Sequence, residues 1–325
     1  MRIVTIEDIK DIYIKLHQRG FSFLMSKLNF NSYKRTQSAF NEKKIETSNF
    51  WQIPEVKKRW NKLITGNENT DYETYLTSNF FNGKENVKIL SIGSGVSSHE
   101  IKLAELNKNC EIHCFDFSDQ LMETASNIAK SKQLSNIKFF AENIITHTFE
   151  PHQYDVVFFH ASLHHFDKME DFIKNTVIRN LKPNGHLIII EFVGNSRLQY
   201  SKEQIRWINK SIKLIPKKYR KIHKTNIYKN KYYGSGVLRM IIADPSECVD
   251  SVNILPSIHR YFTIIEEKPY GNNLLQSALK DIAHHFIELN EEKKEILHQV
   301  FTLEDEFLKN HPSDAVFGIY KLKNE

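Results

Sequence analysis

Residues 87–98, VKILSIGSGVSS, join an apolar run to a glycine-containing bend, and most of the fold prediction depends on them. The run Val87–Ile92 is typical of a buried strand, and a helix is predicted to begin near His99. Glycine at such a bend permits backbone angles that other residues avoid and lets a ligand approach the main chain closely. Amides at the start of the following helix attract anionic groups. We therefore interpret Gly93-Ser94-Gly95 as a nucleotide-binding turn.

Strands and helices alternate on the carboxyl-terminal side of this turn. Further strands are predicted at 111–115, 137–140, 156–160 and 186–192, separated by helices at 99–106, 118–132 and 171–181. Continuous apolar strands that alternate with amphipathic helices indicate a parallel sheet covered on both faces. The sequence therefore predicts an α/β, Rossmann-like fold.

Changes in pattern divide the chain into four predicted segments. They are a helical N-terminal cap at 1–85, the Rossmann-like core at 86–193, a basic insert or lid at 194–258, and C-terminal strands and helices at 259–325 that complete the core. In the cap, Ile6, Ile9 and Ile12 recur at helical spacing and predict an apolar helix face. In the last segment, one helix is predicted at 274–289.

The composition of the 325 residues, 40% hydrophobic and 26% charged, is typical of a folded globular protein. No apolar run approaches the roughly 20 residues that span a bilayer. Because acids appear as early as Glu7 and Asp8, a secretory signal is not expected, and we predict a cytoplasmic protein without a membrane partner. The three cysteines show no repeated spacing, which argues against a disulfide framework.

A carboxylate ends the second predicted strand, about 20 residues after the glycine turn, where nucleotide-binding folds place a ribose contact. This residue, Asp116, can accept hydrogen bonds from both ribose hydroxyls, or it can be a turn or capping residue. Ser98 stands where the dinucleotide pattern Gly-x-Gly-x-x-Gly requires its third glycine. The spacing therefore favours a nucleotide site and disfavours a nicotinamide-dependent oxidoreductase.

Several ordered motifs make the chain resemble the class I S-adenosylmethionine-dependent methyltransferases. Ile89–Gly95 resembles the first motif of that family, Phe115–Ser118 the second, Asp155–Phe166 with its Leu-His-His the fourth-strand motif, and Leu181–Leu187 the turn into strand five. The resemblance covers residues 86–193, and the last two strands fit it less specifically. It implies S-adenosyl-L-methionine as the cofactor and methyl transfer as the activity.

The resemblance also implies a role for individual residues. The methionine portion would lie against the turn and the end of strand four, the ribose against Asp116, and the adenine against the residues that follow strands two and three. The implied contacts beyond Asp116 are Gly93, Ser94, Gly95, His160 and Ala161 for methionine, and Phe117 with Glu142 or Asn143 for adenine. The family often carries an acid where this chain has Ser91, so backbone carbonyls or another side chain would bind the methionine ammonium.

His160, His164 and His165 follow the fourth predicted strand, at the edge where open α/β sheets bind ligands. One of them is a candidate general base for an acceptor that must lose a proton. The alternative, which we favour, is that they shape the cofactor pocket or pack the next helix. No metal is predicted, because no fitting carboxylate or cysteine lies near the His160 and His164 pair in the sequence.

The basic insert allows two functional interpretations. Between residues 197 and 233 many lysines and arginines stand against one acid, Glu203, and aromatic residues are interleaved. Such a segment can contact RNA phosphates and stack on bases. It can also be a substrate lid with a solvated basic face, which we favour, with Tyr232 and Tyr233 lining the pocket and Gly234 permitting movement.

These observations favour a methyltransferase that acts on an oxygen or nitrogen of a small-molecule acceptor, such as a natural-product, sugar or peptide-like precursor in biosynthesis. One alternative is an RNA methyltransferase that uses the basic insert. The other is a non-catalytic scaffold that binds partners through the same fold.

Overall fold

The computed structural model describes residues 1–19 and 48–324. Residues 20–47 of the predicted N-terminal cap lie outside this part. A seven-stranded sheet with the order β3-β2-β1-β4-β5-β7-β6 organises the chain, which confirms the α/β, Rossmann-like prediction. Its strands are β1 Val87–Ile92, β2 Cys110–Asp116, β3 Ile137–Ala141, β4 Tyr154–His160, β5 Leu181–Phe192, β6 Phe262–Gly271 and β7 Ala315–Leu322.

The strands around β1 run parallel. β1 pairs with β2 on one side and with β4 on the other, β2 pairs with β3, and β4 pairs with β5. The strand order therefore reverses between β1 and β4, and open α/β sheets bind their ligands at such a switch point. Because carboxyl ends of parallel strands share one edge, Gly93, Asp116 and His160 are brought to the same edge of the sheet.

The helices are amphipathic and end where the sequence supplies a stop. Pro54 begins the helix at Pro54–Thr65 and Gly66, with a φ of +82°, ends it, while Asp71 caps the helix at Tyr72–Leu76 by accepting from the Thr74 N–H. Within the described residues, the α-helices in chain order are α1 Ile6–Arg19, α2 Pro54–Thr65, α3 Tyr72–Leu76, α4 Ser98–Leu106, α5 Asp119–Ser131, α6 Met169–Phe172, α7 Lys202–Leu214, α8 Val237–Ala243, α9 Ile254–Tyr261, α10 Leu275–Leu279 and α11 Glu291–Leu308.

The chain divides into two compact units, and each is built from separated stretches of sequence. One unit consists of Met1–Asn69, Gly194–Glu247 and Pro269–Ala315, and the other consists of Thr70–Val193, Cys248–Lys268 and Val316–Glu325. The grouping therefore differs from the four consecutive segments predicted from sequence. The second unit contains nearly all of the sheet, and we call it the sheet unit; we call the first the helical unit.

Different apolar clusters explain this grouping. In the sheet unit, Leu90 and Phe159 are fully buried in a cluster that also takes in Ile254 and Ile258 of α9. In the helical unit, α10 and α11 bury their apolar residues together with Ile53 and the start of α2. Helices predicted to complete the sheet core are thus held in a separate core, because their apolar faces pack there.

One sequence prediction about a helix is wrong. The helix predicted at 274–289 ends after Leu279, because Asp281 adopts a left-handed φ of +69°, and a short 3₁₀ turn follows at Ala283–Phe286. The sequence suggested one long helix because apolar residues recur at helical spacing on both sides of the break, and they are buried on both sides. The helix predicted at 171–181 is present, since residues 169–180 are helical throughout, with a π-helical turn at Ile173–Ile178.

The apolar face predicted for α1 is exposed. Ile6, Ile9 and Ile12 are all more than 45% exposed, whereas Asp8 and Asp11 on the other side of the helix are buried. The reason is a polar contact within the helical unit: Asp8 accepts from the N–H of Gly236 and, like Asp11, pairs with Arg239. No described helix combines the length and apolar composition needed to span a bilayer.

Candidate active site

The two glycines of the turn meet different steric requirements. Gly93 has a φ of +71°, and a β-carbon placed there would lie 2.7 Å from the β-carbon of Ser162. Gly95 has a φ of +54°, but a β-carbon there would meet nothing within 4 Å. Gly93 therefore permits close packing of two loops, while the side of Gly95 faces open space that a ligand can use.

Short polar contacts hold the turn between β1 and α4. The N–H groups of Gly93 and Ser94 both donate to the carbonyl of Phe115, at 2.8 and 3.3 Å. Ser97 adopts a φ of +51°, and its hydroxyl donates to the hydroxyl of Ser94 at 3.1 Å. Because α4 begins at Ser98, its first amides belong to the same turn.

Asp116 is buried directly beside this turn. One carboxylate oxygen accepts from the N–H of Gly95 at 2.9 Å, and the other accepts from the N–H of Ser118 at 2.9 Å. Burial raises the pKa of Asp116 above its usual value. The turn-stabilising role is therefore observed, and because a carboxylate can accept about four hydrogen bonds, a ribose hydroxyl can also bind there.

The residues predicted to contact adenine surround the end of β2. Phe117 is half-buried, and the N–H of Glu142 donates to the carbonyl of Asp116 at 2.9 Å. The carboxylate of Glu142 is hydrogen-bonded to His147, and the side-chain oxygen of Asn143 accepts from the N–H of Ile145. The structure brings these residues together, and their contact with adenine stays a prediction.

His160 ends β4 among aromatic rings. Its ring centroid lies 3.7 Å from that of His99, edge to face, and 5.6 Å from that of Tyr72. Burial lowers the pKa of His160 well below its usual value, and the neighbouring His99 and His164 lower it further. A neutral imidazole of low basicity is poorly suited to remove a proton. The next residue, Ala161, is exposed with a φ of +50°.

His164 has a structural partner. The fully buried carboxylate of Glu191 accepts from the N–H groups of Ser162 and Leu163 at 2.5 and 2.6 Å, and it is hydrogen-bonded to His164 Nδ1 at 2.8 Å. Glu191 thus fixes the loop after β4 through three donors. This geometry favours the structural interpretation of His164, and the ring of His165 lies beside it with a centroid distance of 4.4 Å.

The sequence did not point to a second glutamate–histidine pair in the sheet unit. Glu73 of α3 is hydrogen-bonded to His99 Nδ1 at 2.6 Å, and Lys102 Nζ lies 4.0 Å from the other oxygen of Glu73. The side chain of His99 is 36% exposed, whereas that of Glu73 is 6% exposed. Twenty-six positions separate the two residues, so no local spacing could have revealed the pair.

Ser91 also has a partner that the sequence did not reveal. Its hydroxyl donates to Glu100 Oε1 at 2.7 Å, and Glu100 is only 2% exposed in the first turn of α4. Burial raises the pKa of Glu100. The carboxylate that the family resemblance expects at position 91 is therefore present beside that position, on the next helix.

The predicted lid residues make hydrogen bonds within the helical unit, and Tyr233 contacts α1. Tyr232 is buried, with its hydroxyl 3.1 Å from that of Ser235, and the N–H of Tyr233 donates to Glu7 at 3.0 Å. Gly234 has a φ of +86°, and a β-carbon there would lie 2.7 Å from Arg2 Nε. A glycine at this position permits the left-handed backbone and leaves room for the Arg2 side chain.

Sequence comparison identifies the family. A family model described as a methyltransferase domain matches residues 83–301, well over half of the chain. The chain belongs to the class I S-adenosylmethionine-dependent methyltransferases. The resemblance noted in the sequence is thus confirmed, and S-adenosylmethionine is the cofactor of this methyltransferase. No curated protein sequence matches the chain.

Solved structures also resemble the methyltransferase. A SAM-dependent methyltransferase from Aquifex aeolicus shares 19% identity at a TM-score of 0.35, over 46% of this chain and 77% of that one. YcgJ from Bacillus subtilis shares 14% sequence identity at a TM-score of 0.43, and the match covers 78% of this chain and 99% of that one. The [4+2]-cyclase SpnF shares 13% sequence identity at a TM-score of 0.47, and the match covers 100% of this chain and 99% of that one. Likeness at this level carries no conclusion about the acceptor.

The described residues fit the cofactor. Gly95 leaves open space beside the turn, and Asp116 provides a buried carboxylate at the switch point of the sheet, where a ribose hydroxyl would find an acceptor. When bound, S-adenosylmethionine supplies a methyl group already activated on a sulfonium. The protein therefore has to hold the cofactor, orient the acceptor in line with that methyl group and exclude water.

Replacing Asp116 with alanine is expected to weaken binding of S-adenosylhomocysteine by about 1–3 kcal/mol, the loss typical of hydrogen bonds to a buried charged acceptor. Titration calorimetry measures the affinity. Analogues that lack a ribose hydroxyl serve as the control, because their binding should depend less on the carboxylate. Unchanged affinity in the variant would show that the ribose assignment is wrong.

Proposed function

We propose that the methyltransferase transfers the methyl group to an oxygen or nitrogen of a small-molecule acceptor. The observation that carries this proposal is the pair formed by Glu73 and His99. His99 lies in the first turn of α4, directly after the glycine turn, and its ring packs against His160 at the end of β4. A hydroxyl or a protonated amine must lose a proton before or during methyl transfer, and a histidine at this place can take it.

The geometry of the pair suits this role. The hydrogen bond to Glu73 occupies Nδ1 of His99, so that Nε2 remains for an acceptor proton. A buried carboxylate beside Nδ1 also stabilises the imidazolium that forms when Nε2 takes the proton, as in other carboxylate–histidine pairs. Among the histidines that the sequence suggested, His160 has a lowered pKa and His164 is bound to Glu191. His99 is therefore the better candidate for the base.

The internal use of basic side chains supports a small molecule over RNA. In the insert, Lys218 pairs with Glu292 at 2.8 Å, and Lys229 is buried, donating to the carbonyl of Lys280 at 2.6 Å. The buried Lys229 does not contribute to a phosphate-binding surface, and the positive charge of Lys218 is offset by Glu292. Tyr232 and Tyr233 remain our proposed lid residues.

A screen with a labelled methyl donor tests the proposal. Purified protein is incubated with S-adenosylmethionine carrying a labelled methyl group and with two separate extracts, one of small metabolites and one of total RNA. We expect the label in alcohols, phenols or amines of the metabolite extract, identified by mass spectrometry. Label that enters RNA while the metabolite extract stays unlabelled would refute the small-molecule acceptor.

A further inference from the structure

Glu100 is a buried carboxylate in the first turn of α4, at 2% exposure. It accepts a hydrogen bond from the hydroxyl of Ser91, a residue that is itself fully buried, and its own backbone N–H and the adjacent His99 also favour its charged form. Among the described residues, no lysine or arginine forms an ion pair with it. Burial raises its pKa, because a carboxylate out of water is costly unless a positive group or several donors offset that cost.

The other buried carboxylates near the glycine turn are already occupied. Glu191 accepts from two backbone N–H groups and is bonded to a histidine. Asp116 accepts from the backbone N–H groups of Gly95 and Ser118, and Glu73 is bonded to a histidine with a lysine 4.0 Å away. Glu100, whose side-chain donor is the neutral hydroxyl of Ser91, is the carboxylate in this set that has no hydrogen bond from a histidine, lysine or arginine side chain and fewer than two backbone N–H donors.

The position of Glu100 places it close to the methionine end of the cofactor site. Ser91, to which it is bonded at 2.7 Å, is separated from Gly93 by a single residue of β1. The methionine portion of S-adenosylmethionine carries a primary ammonium group, which also needs a partner once it leaves water. A lone buried carboxylate and an entering ammonium are complementary in charge.

We propose that Glu100 supplies the negative charge that binds the methionine ammonium group of S-adenosylmethionine, and that the Ser91 hydroxyl orients its carboxylate. This inference rests on the cofactor and not on the proposed acceptor. It assigns the ammonium contact to a side chain of α4, in a chain that has no acid at the end of β1. Glu100 is thus a specificity residue for the amino-acid part of the cofactor.

Calorimetry with two ligands tests the proposal. S-adenosylhomocysteine carries the ammonium group, and 5′-methylthioadenosine has the same nucleoside without the amino acid. Glu100→Gln is expected to weaken S-adenosylhomocysteine binding by about 10- to 100-fold, the loss for a hydrogen bond to a charged group. Binding of 5′-methylthioadenosine should stay unchanged. Equal losses for both ligands, or no loss for either, would overturn the proposal.

Two further variants complete the test. Glu105→Gln removes a carboxylate from the exposed end of the same helix and should leave both affinities unchanged, whereas a loss equal to that of Glu100→Gln would count against the proposal. The double variant Ser91→Asp with Glu100→Gln returns a carboxylate to the site and should recover S-adenosylhomocysteine binding. If Glu100→Gln does not fold, a folded double variant that fails to bind this ligand would refute the inference. The acceptor screen does not affect either outcome.

Discussion

Replacing His99 with alanine is expected to lower kcat by about 100-fold or more toward an alcohol or amine acceptor, the usual contribution of a general base. The proposed base is bonded to Glu73 through Nδ1, so alanine removes both the proton acceptor and the group that the carboxylate orients. Binding of S-adenosylhomocysteine should change little, because the proposed role concerns the acceptor. Steady-state kinetics with the acceptor found in the screen, together with calorimetry, measure both quantities.

A matched pair elsewhere in the sheet unit provides the control. His259 is hydrogen-bonded to Glu267 at 2.6 Å, and its side chain is 37% exposed, close to the values for His99 and Glu73. His259→Ala removes a comparable histidine–carboxylate hydrogen bond without touching the glycine turn, so kcat should be retained. If both alanine variants reduce kcat equally, or if His99→Ala leaves it unchanged, His99 is not the base.

Gly93→Ala is expected to lower the free energy of unfolding by about 2–5 kcal/mol, because two costs add at this position. A left-handed φ of +71° strains any residue with a β-carbon, and the new β-carbon would lie 2.7 Å from that of Ser162. The hydroxyl of Ser162 donates to the carbonyl of Ile92 at 2.7 Å, so the loop after β4 cannot move away freely. Chemical denaturation followed by circular dichroism measures the change.

Gly95→Ala separates strain from packing. Gly95 has a similar positive φ of +54°, but its missing β-carbon faces open space. Only the strain remains, and we expect a loss of about 1–2 kcal/mol. Similar losses for the two variants would mean that contact with Ser162 does not limit the turn. A far larger fall in cofactor affinity than in stability for Gly95→Ala would agree with a ligand in the open space.

The sheet could be predicted from sequence because its signal is local. Apolar strands such as Val87–Ile92 are buried on both faces, and alternation with helices fixes the fold class. The grouping of residues 269–315 into the helical unit was not predictable in this way. Helical periodicity shows that Leu275 and Leu279 are buried, but it does not show which partner buries them.

The candidate site likewise has residues that could be predicted from local sequence and residues that could not. Gly93, Gly95 and Asp116 follow strands of the sheet, so their position at one edge follows from the topology. Glu73 lies in α3, which precedes β1, and His99 lies in α4, which follows β1. Only the folded chain brings the two side chains together. The departure at Ser91 was visible in the sequence, whereas its compensation by Glu100 required the buried contact.

The reversed orientation of α1 matters for handling the protein. Its buried side carries Asp8 and Asp11, whereas Ile6, Ile9 and Ile12 are exposed. The helix therefore presents an exposed apolar patch that favours self-association at high protein concentration. Polar substitutions at the three isoleucines would leave the contacts of Asp8 untouched. The three exposed isoleucines, which the sequence pattern predicts to be buried, are therefore the first positions to substitute when crystals or higher yields are sought.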